Sequence, residues 1–235
     1  MLDEIFQFVQ EIYKMISSKG MLFKGPNNTL PLNGIYFFFE KGQKILIDDK
    51  EFDRIVRIGI NEKPNNFIKR INEHYKGNII ASVFRENVGW ALLERAGDKP
   101  KIVYGTKKNY KRQNSGGPLE SAISKYFSEV LTFKAFSIGY SKLKKYERIL
   151  TAAFSTYYQY KIWKKELDIK DWLGSYSYSR GDKIRRSGLW NSENVILIQN
   201  FEPLSFETKL KVSDLFPSNF KRIFYDLLQS IVDYE

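Results

Sequence analysis

The sequence contains no cysteine and a single histidine, His74. A disulfide framework and cysteine-ligated zinc are therefore excluded, and so is a zinc centre built on several histidines. Any metal this chain uses must be a hard ion held by oxygen ligands. Long apolar runs are also missing, and no stretch approaches the length of a bilayer span. The opening residues, MLDEIFQFVQ, lack the basic start and unbroken apolar segment of a secretory signal. A cytoplasmic protein with no membrane partner is the expectation. Negative charge is in deficit: 38 Lys and Arg stand against 27 Asp and Glu, a net charge of +11. Such an excess favours polyanionic partners, nucleic acid first among them. No internal repeat, low-complexity tract or flexible linker interrupts the chain, so one elaborated domain over residues 1–235 is expected. A hydrophobic content of 43%, with 16% aromatics, supports a compact globule of that length.

Periodicity locates the elements. Over residues 3–17, Ile5, Phe6, Val9, Ile12, Tyr13 and Ile16 share one helical face. Strand signals fall at about 34–40 and 54–60, and the intervening KGQKILIDDKEFD reads as too long for a tight hairpin, although the strands can still pair antiparallel. Phe67, Ile68, Ile71 and Tyr75 mark a short helix capped by Asn65 or Asn66. Further helices are expected at about 87–95 and 119–129, then a strand at 131–139. Ser141 is placed to cap a long helix reaching about residue 160. A terminal helix over 219–234 presents Phe220, Ile223, Phe224, Leu227, Leu228, Ile231 and Val232 as its apolar stripe.

The chemistry concentrates around Tyr36. Arg70 and His74 stand four residues apart on the short helix, so their side chains leave the same face one turn apart. Arginine supplies a permanent charge and a planar fork of donors matched to phosphate oxygens. An exposed tyrosine beside that pair could donate, accept or take a proton from water. Two basic, tyrosine-interleaved tracts suit a phosphate backbone and could stack on bases: Lys107, Lys108, Lys111 and Arg112 in the first, Arg180, Lys183, Arg185 and Arg186 in the second. Arg85 and Arg95 have no assigned role beyond possible salt bridges nearby.

Six features occur in order: Gly34-Ile35-Tyr36 on the first strand, Arg57-Ile58-Gly59 on the second, Arg70-x-x-x-His74 on a helix, a third strand, Glu147 in KKYERIL, and Asn191 in SGLWN. That order resembles the GIY-YIG endonucleases, over about residues 33–195 with an insertion at about 77–130. The departure is Arg57, which stands where the family's second triplet has tyrosine. The resemblance implies an α/β fold with a small three-stranded, mostly antiparallel sheet flanked by helices. It implies metal-dependent hydrolysis of DNA phosphodiester bonds to 5′-phosphate and 3′-hydroxyl ends; a restriction or defence role is expected, because the domain appears alone with its own insertions for DNA contact. Alternatives are a catalytically inactive nucleic-acid-binding module of the same fold, or a repair or recombination nuclease. RNA stays open as a substrate, and a homodimer would serve double-strand cleavage.

Carried over by resemblance, Tyr36 activates or orients the attacking water, Arg70 holds the scissile phosphate, and His74 bonds the phenol or a phosphate oxygen. Glu147 anchors one Mg²⁺ or Mn²⁺ ion, with Glu120 as the alternative ligand. Asn191 supports that site by a hydrogen bond, with Asn194 as its competitor. A guanidinium at position 57 cannot serve as a base at neutral pH, but its fixed charge could ease loss of the phenol proton or bind phosphate.

Overall fold

The computed structural model describes residues 2–97, 117–177, 182–202, 212, 216 and 220–232. Its centre is an antiparallel sheet of β1 (Leu22–Phe23), β2 (Gly34–Ile47), β3 (Lys50–Ile60) and β4 (Leu131–Ser137), in the order β1-β4-β2-β3. The expected three strands form its body, and β1 adds a two-residue rung on the outer edge of β4.

Alternation along β2 makes the sheet two-sided. Ile35, Phe37 and Phe39 point to one face, where α1 (Leu2–Ser18), α5 (Tyr140–Trp163) and α7 (Phe220–Val232) bring Val9, Ile12, Leu150, Phe154, Ile223 and Leu227 against them. Tyr36 and Phe38 point to the other face, beneath α2 (Phe67–Tyr75), α3 (Val83–Arg95) and α4 (Pro118–Glu129). Trp172 and Trp190, on either side of the short α6 (Lys183–Ser187), complete this second core. Full burial of a side chain such as Phe38 contributes about 2–3 kcal/mol.

Several sequence expectations are corrected. The segment between the first two strands is strand almost throughout: β2 and β3 run on to the pair Ile47–Lys50 and turn through Asp48 and Asp49 alone. Both aspartates have positive φ, 48° and 60°, as a two-residue primed turn requires, and aspartate tolerates that region better than most side chains. The length of the segment is absorbed by an irregularity, because Phe39 faces Ile55 but the next pair is Lys44 with Asp53. α3 starts at Val83, four residues before the expected 87, because Ser82 caps it by accepting a hydrogen bond from the Arg85 amide at 3.3 Å. Ser141 caps nothing: Gly139 holds the cap position of α5 and makes no side-chain bond. Asn66 occupies the cap position of α2 without a side-chain bond, while Asn65 takes the left-handed turn before it.

Candidate active site

A second irregularity builds the site. Phe38 faces Arg57 while Phe39 faces Ile55, so Val56 is an extra residue in β3. A bulge of this kind sends neighbouring side chains to one face. Arg57 thus joins Val56 on the side of the sheet that carries Tyr36.

Tyr36 lies directly across from Gly59. A Cβ on Gly59 would stand 2.3 Å from the phenol oxygen, so glycine is what lets the ring lie flat over β3. Gly34 has a comparable cause: a Cβ there would meet the Phe136 carbonyl oxygen at 2.3 Å. The expected exposed tyrosine is in fact enclosed, 1% accessible, because its ring packs edge-on against Phe38 and Phe67. Its hydroxyl meets His74 Nε2 at 2.8 Å. His74 is wholly buried, and its Nδ1 lies 2.8 Å from Ser82 Oγ. Burial, together with the charges of Arg70, Arg57 and Arg85, holds this imidazole well below its ordinary range, so it is neutral.

Two guanidiniums face the phenol. Arg57 is 8% exposed, donates from Nη1 to the Trp190 carbonyl at 3.1 Å and stacks over the Phe84 ring at 4.8 Å. Burial lowers its pKa, Tyr36 and Glu147 oppose that, and Arg70 reinforces it. Arg70 is steered by Glu73 at 3.0 Å and Glu62 at 3.5 Å. Its burial is outweighed by Tyr36, Glu73 and Glu62, which raise its pKa. The charges of both arginines act on Tyr36. The Nε of each is buried and has no hydrogen-bond partner among the described residues.

Glu147, on the half-buried flank of α5, lies within the field of both arginines. Burial pushes its carboxyl up to about 7, Arg57 and Arg70 pull it down, and Glu193 and Glu62 push it up again. Among the described residues no group of three or more His, Cys, Asp or Glu is gathered for a metal. The donor chemistry nonetheless fits Mg²⁺, which is commonly held by one or two carboxylates while keeping water and substrate phosphate as its other ligands. Glu120 is engaged elsewhere: it pairs with Arg85 at 2.7 Å and accepts from the Ile79 amide. Arg85 in turn donates to the His74 carbonyl at 2.9 Å and so fixes the end of α2 that carries the imidazole.

Asn191 accepts from the Ile58 amide at 3.1 Å and donates to the Ile58 carbonyl at 2.8 Å. Its amide clamps the backbone between Arg57 and Gly59. Asn194 is exposed in a left-handed turn, φ 60°. Of the basic tracts, Lys107, Lys108, Lys111, Arg112 and Arg180 lie outside the described residues. Lys183 is exposed, Arg185 pairs with Asp182, and Arg186 donates to the Ile198 carbonyl at 2.7 Å. The sequence reading missed Ser82. Its signal, a serine four residues before Glu86 at the head of an apolar stretch, was available as a helix-start pattern.

A family profile described as "GIY-YIG domain" matches residues 1–210. No curated protein and no solved structure gives a significant match to the chain. The profile spans most of the chain and includes both sheet triplets, α2 and the segment that clamps Ile58. By that match the chain belongs to the GIY-YIG family, and its function is of the nuclease type.

Proposed function

We propose that this protein is a divalent-metal-dependent endonuclease that hydrolyses DNA phosphodiester bonds in a restriction or defence role. The observation that supports the reading is the grouping around Tyr36: its hydroxyl meets His74 at 2.8 Å, and the charges of Arg57 and Arg70 act on both Tyr36 and Glu147. Hydrolysis needs an activated water and neutralisation of the charge gathering on the phosphate. Tyr36 orients the attacking water through its hydroxyl. Arg70 grips the scissile phosphate, and Arg57 adds a second fixed charge where the family's second tyrosine would stand. Glu147 would hold one Mg²⁺ or Mn²⁺, which when bound neutralises phosphate charge and eases departure of the alkoxide. Asn191 acts through the backbone, keeping Arg57 and Gly59 in register. The net charge of +11 and the exposed Lys183 support a polyanionic substrate.

Purified protein with Mg²⁺ or Mn²⁺ is expected to nick or cut plasmid DNA. Tyr36→Phe, Arg70→Ala and Glu147→Ala should each abolish cutting with far-UV circular dichroism unchanged. Cutting that survives loss of Arg70 overturns the mechanism. Salt-sensitive DNA binding without turnover, across metals and substrates, would make the protein an inactive binding module.

A further inference from the structure

Arg70 already faces two carboxylates. Its Nη1 donates to Glu73 Oε2 at 3.0 Å, and its Nη2 lies 3.5 Å from Glu62 Oε1. One positive charge is thus met by two negative ones, and both of these repel an incoming phosphate. A phosphate docks on this guanidinium against that repulsion unless one carboxylate withdraws.

The two carboxylates are not equivalent. Glu73 stands one turn further along α2, its side chain is 28% exposed, and its contact is a charge-assisted hydrogen bond. Glu62 follows the end of β3, its side chain is 71% exposed, and its separation from Arg70 is too wide for a strong hydrogen bond. Exposed pairs of that kind are weak and exchange readily. The backbone beneath Glu62 is nonetheless fixed. Its carbonyl accepts from Tyr140 Oη at 2.7 Å, at the start of α5. The side chain of the preceding Asn61 accepts from the Gly34 amide at 2.9 Å and donates to Asn33 Oδ1 at 2.9 Å and to the Lys63 carbonyl at 2.6 Å. Glu62 can therefore leave Arg70 by side-chain rotation alone, with β2 and α5 undisturbed.

We propose that Glu62 is an anionic placeholder on Arg70: it covers the guanidinium in the free protein, yields to the scissile phosphate, and so sets how tightly the site takes a phosphate group. Glu73 is the partner that stays and keeps Arg70 aimed. Glu62 also bears on Glu147, whose carboxyl it helps to push up, so its withdrawal relieves the acidic side of the site as well. The role rests on the assignment of phosphate to Arg70 under the nuclease reading above.

The test is calorimetry of inorganic phosphate with the full chain, without metal, at about pH 8, where the raised Glu147 carboxyl is ionised. Glu62→Gln keeps the size of the side chain and removes its charge. It should tighten phosphate binding about threefold or more and lower KM for DNA in parallel. Glu73→Gln should weaken phosphate binding, because Arg70 loses its fixed partner. Glu193 is an exposed carboxylate near Glu147 that makes no ion pair with Arg70 among the described residues. Glu193→Gln removes the same charge and should change phosphate affinity clearly less than Glu62→Gln. In an Arg70→Ala background the gain from Glu62→Gln should vanish. Phosphate binding that is absent, unchanged or weakened in Glu62→Gln overturns the proposal, as does a gain that survives loss of Arg70. An equal gain in Glu193→Gln, or a larger one in Glu73→Gln, overturns it too. A gain that depends on Arg70 in a protein that cuts no DNA upholds the placeholder while the nuclease reading fails. DNA cutting with no such gain does the reverse.

Discussion

Gly59 and Tyr36 face each other across β2 and β3, and the ring of one fills the place where the other would carry a Cβ. The glycine of the altered second triplet is thus kept for the tyrosine of the first. Gly59→Ala should push the ring off its seat, because the nearest atoms to the new methyl belong to a ring packed on two sides. The expected outcome is a kcat loss of about 100-fold. The accompanying loss of stability, read by urea unfolding, should be about 1–3 kcal/mol.

Arg57 replaces a neutral family residue with a fixed charge, and that charge can be removed without loss of bulk. Arg57→Met should retain packing against Phe84 while lowering cleavage by about 100-fold. It should also weaken binding of inorganic phosphate measured by calorimetry in the absence of metal. Unchanged phosphate affinity would mean that the guanidinium serves only the Trp190 carbonyl.

The buried pair Arg85–Glu120 ties α3 and α4 to the end of α2. Glu120→Gln or Arg85→Met alone leaves a buried partner uncompensated and should cost about 3–5 kcal/mol. The double replacement should cost clearly less than the sum, since no orphan charge remains. Urea unfolding of the four proteins measures the cycle.

His74 links folding to pH in a definite direction. Its folded pKa lies well below the ordinary value of 6.5, so the unfolded chain binds a proton that the native state refuses. Stability is fully present above pH 6.5 and falls as pH drops through the window below it, by up to about 1.4 kcal/mol per pH unit. Glu147 acts in the opposite sense. Its carboxyl is raised from 4.5 to about 7, so its contribution worsens as pH rises across that interval. Comparing wild type with His74→Gln from pH 5 to about 7 isolates the histidine, whose part should vanish in the variant.

Metal should reveal itself by stability as well as by turnover. At about pH 8, above the raised carboxyl, millimolar Mg²⁺ should increase the Tm of the wild type by mass action. Glu147→Gln should lose that increase, and Glu120→Gln should keep it. Retention in Glu147→Gln would move the ion to another ligand.

Much of this was legible in the sequence because the signals were local. Arg70 and His74 needed only helical spacing, and Tyr36 with Gly59 needed only two strands in register. What escaped depended on tertiary relations. The Val56 bulge that turns Arg57 toward the phenol leaves no mark in alternation, since Ile55, Val56 and Ile58 look alike in any pattern. The Asp48-Asp49 turn was hidden because Asp-Asp is a weaker turn signal than Asn-Gly or Asp-Gly. Glu120 resembled an open ligand until Arg85, 35 residues away, closed on it. Asn191 was expected at the site from its place in the resemblance, but its grip on the Ile58 backbone was not legible.

That grip has a second effect at the border of the sheet. The Trp190 amide donates to the Val56 carbonyl at 2.7 Å, and Asn191 occupies both backbone groups of Ile58. Outer strands with unclaimed amides and carbonyls invite a neighbouring polypeptide to zip on. Along the stretch that carries Arg57 and Gly59, those vacancies are already taken by the protein's own downstream segment, so strand-to-strand aggregation is blocked there.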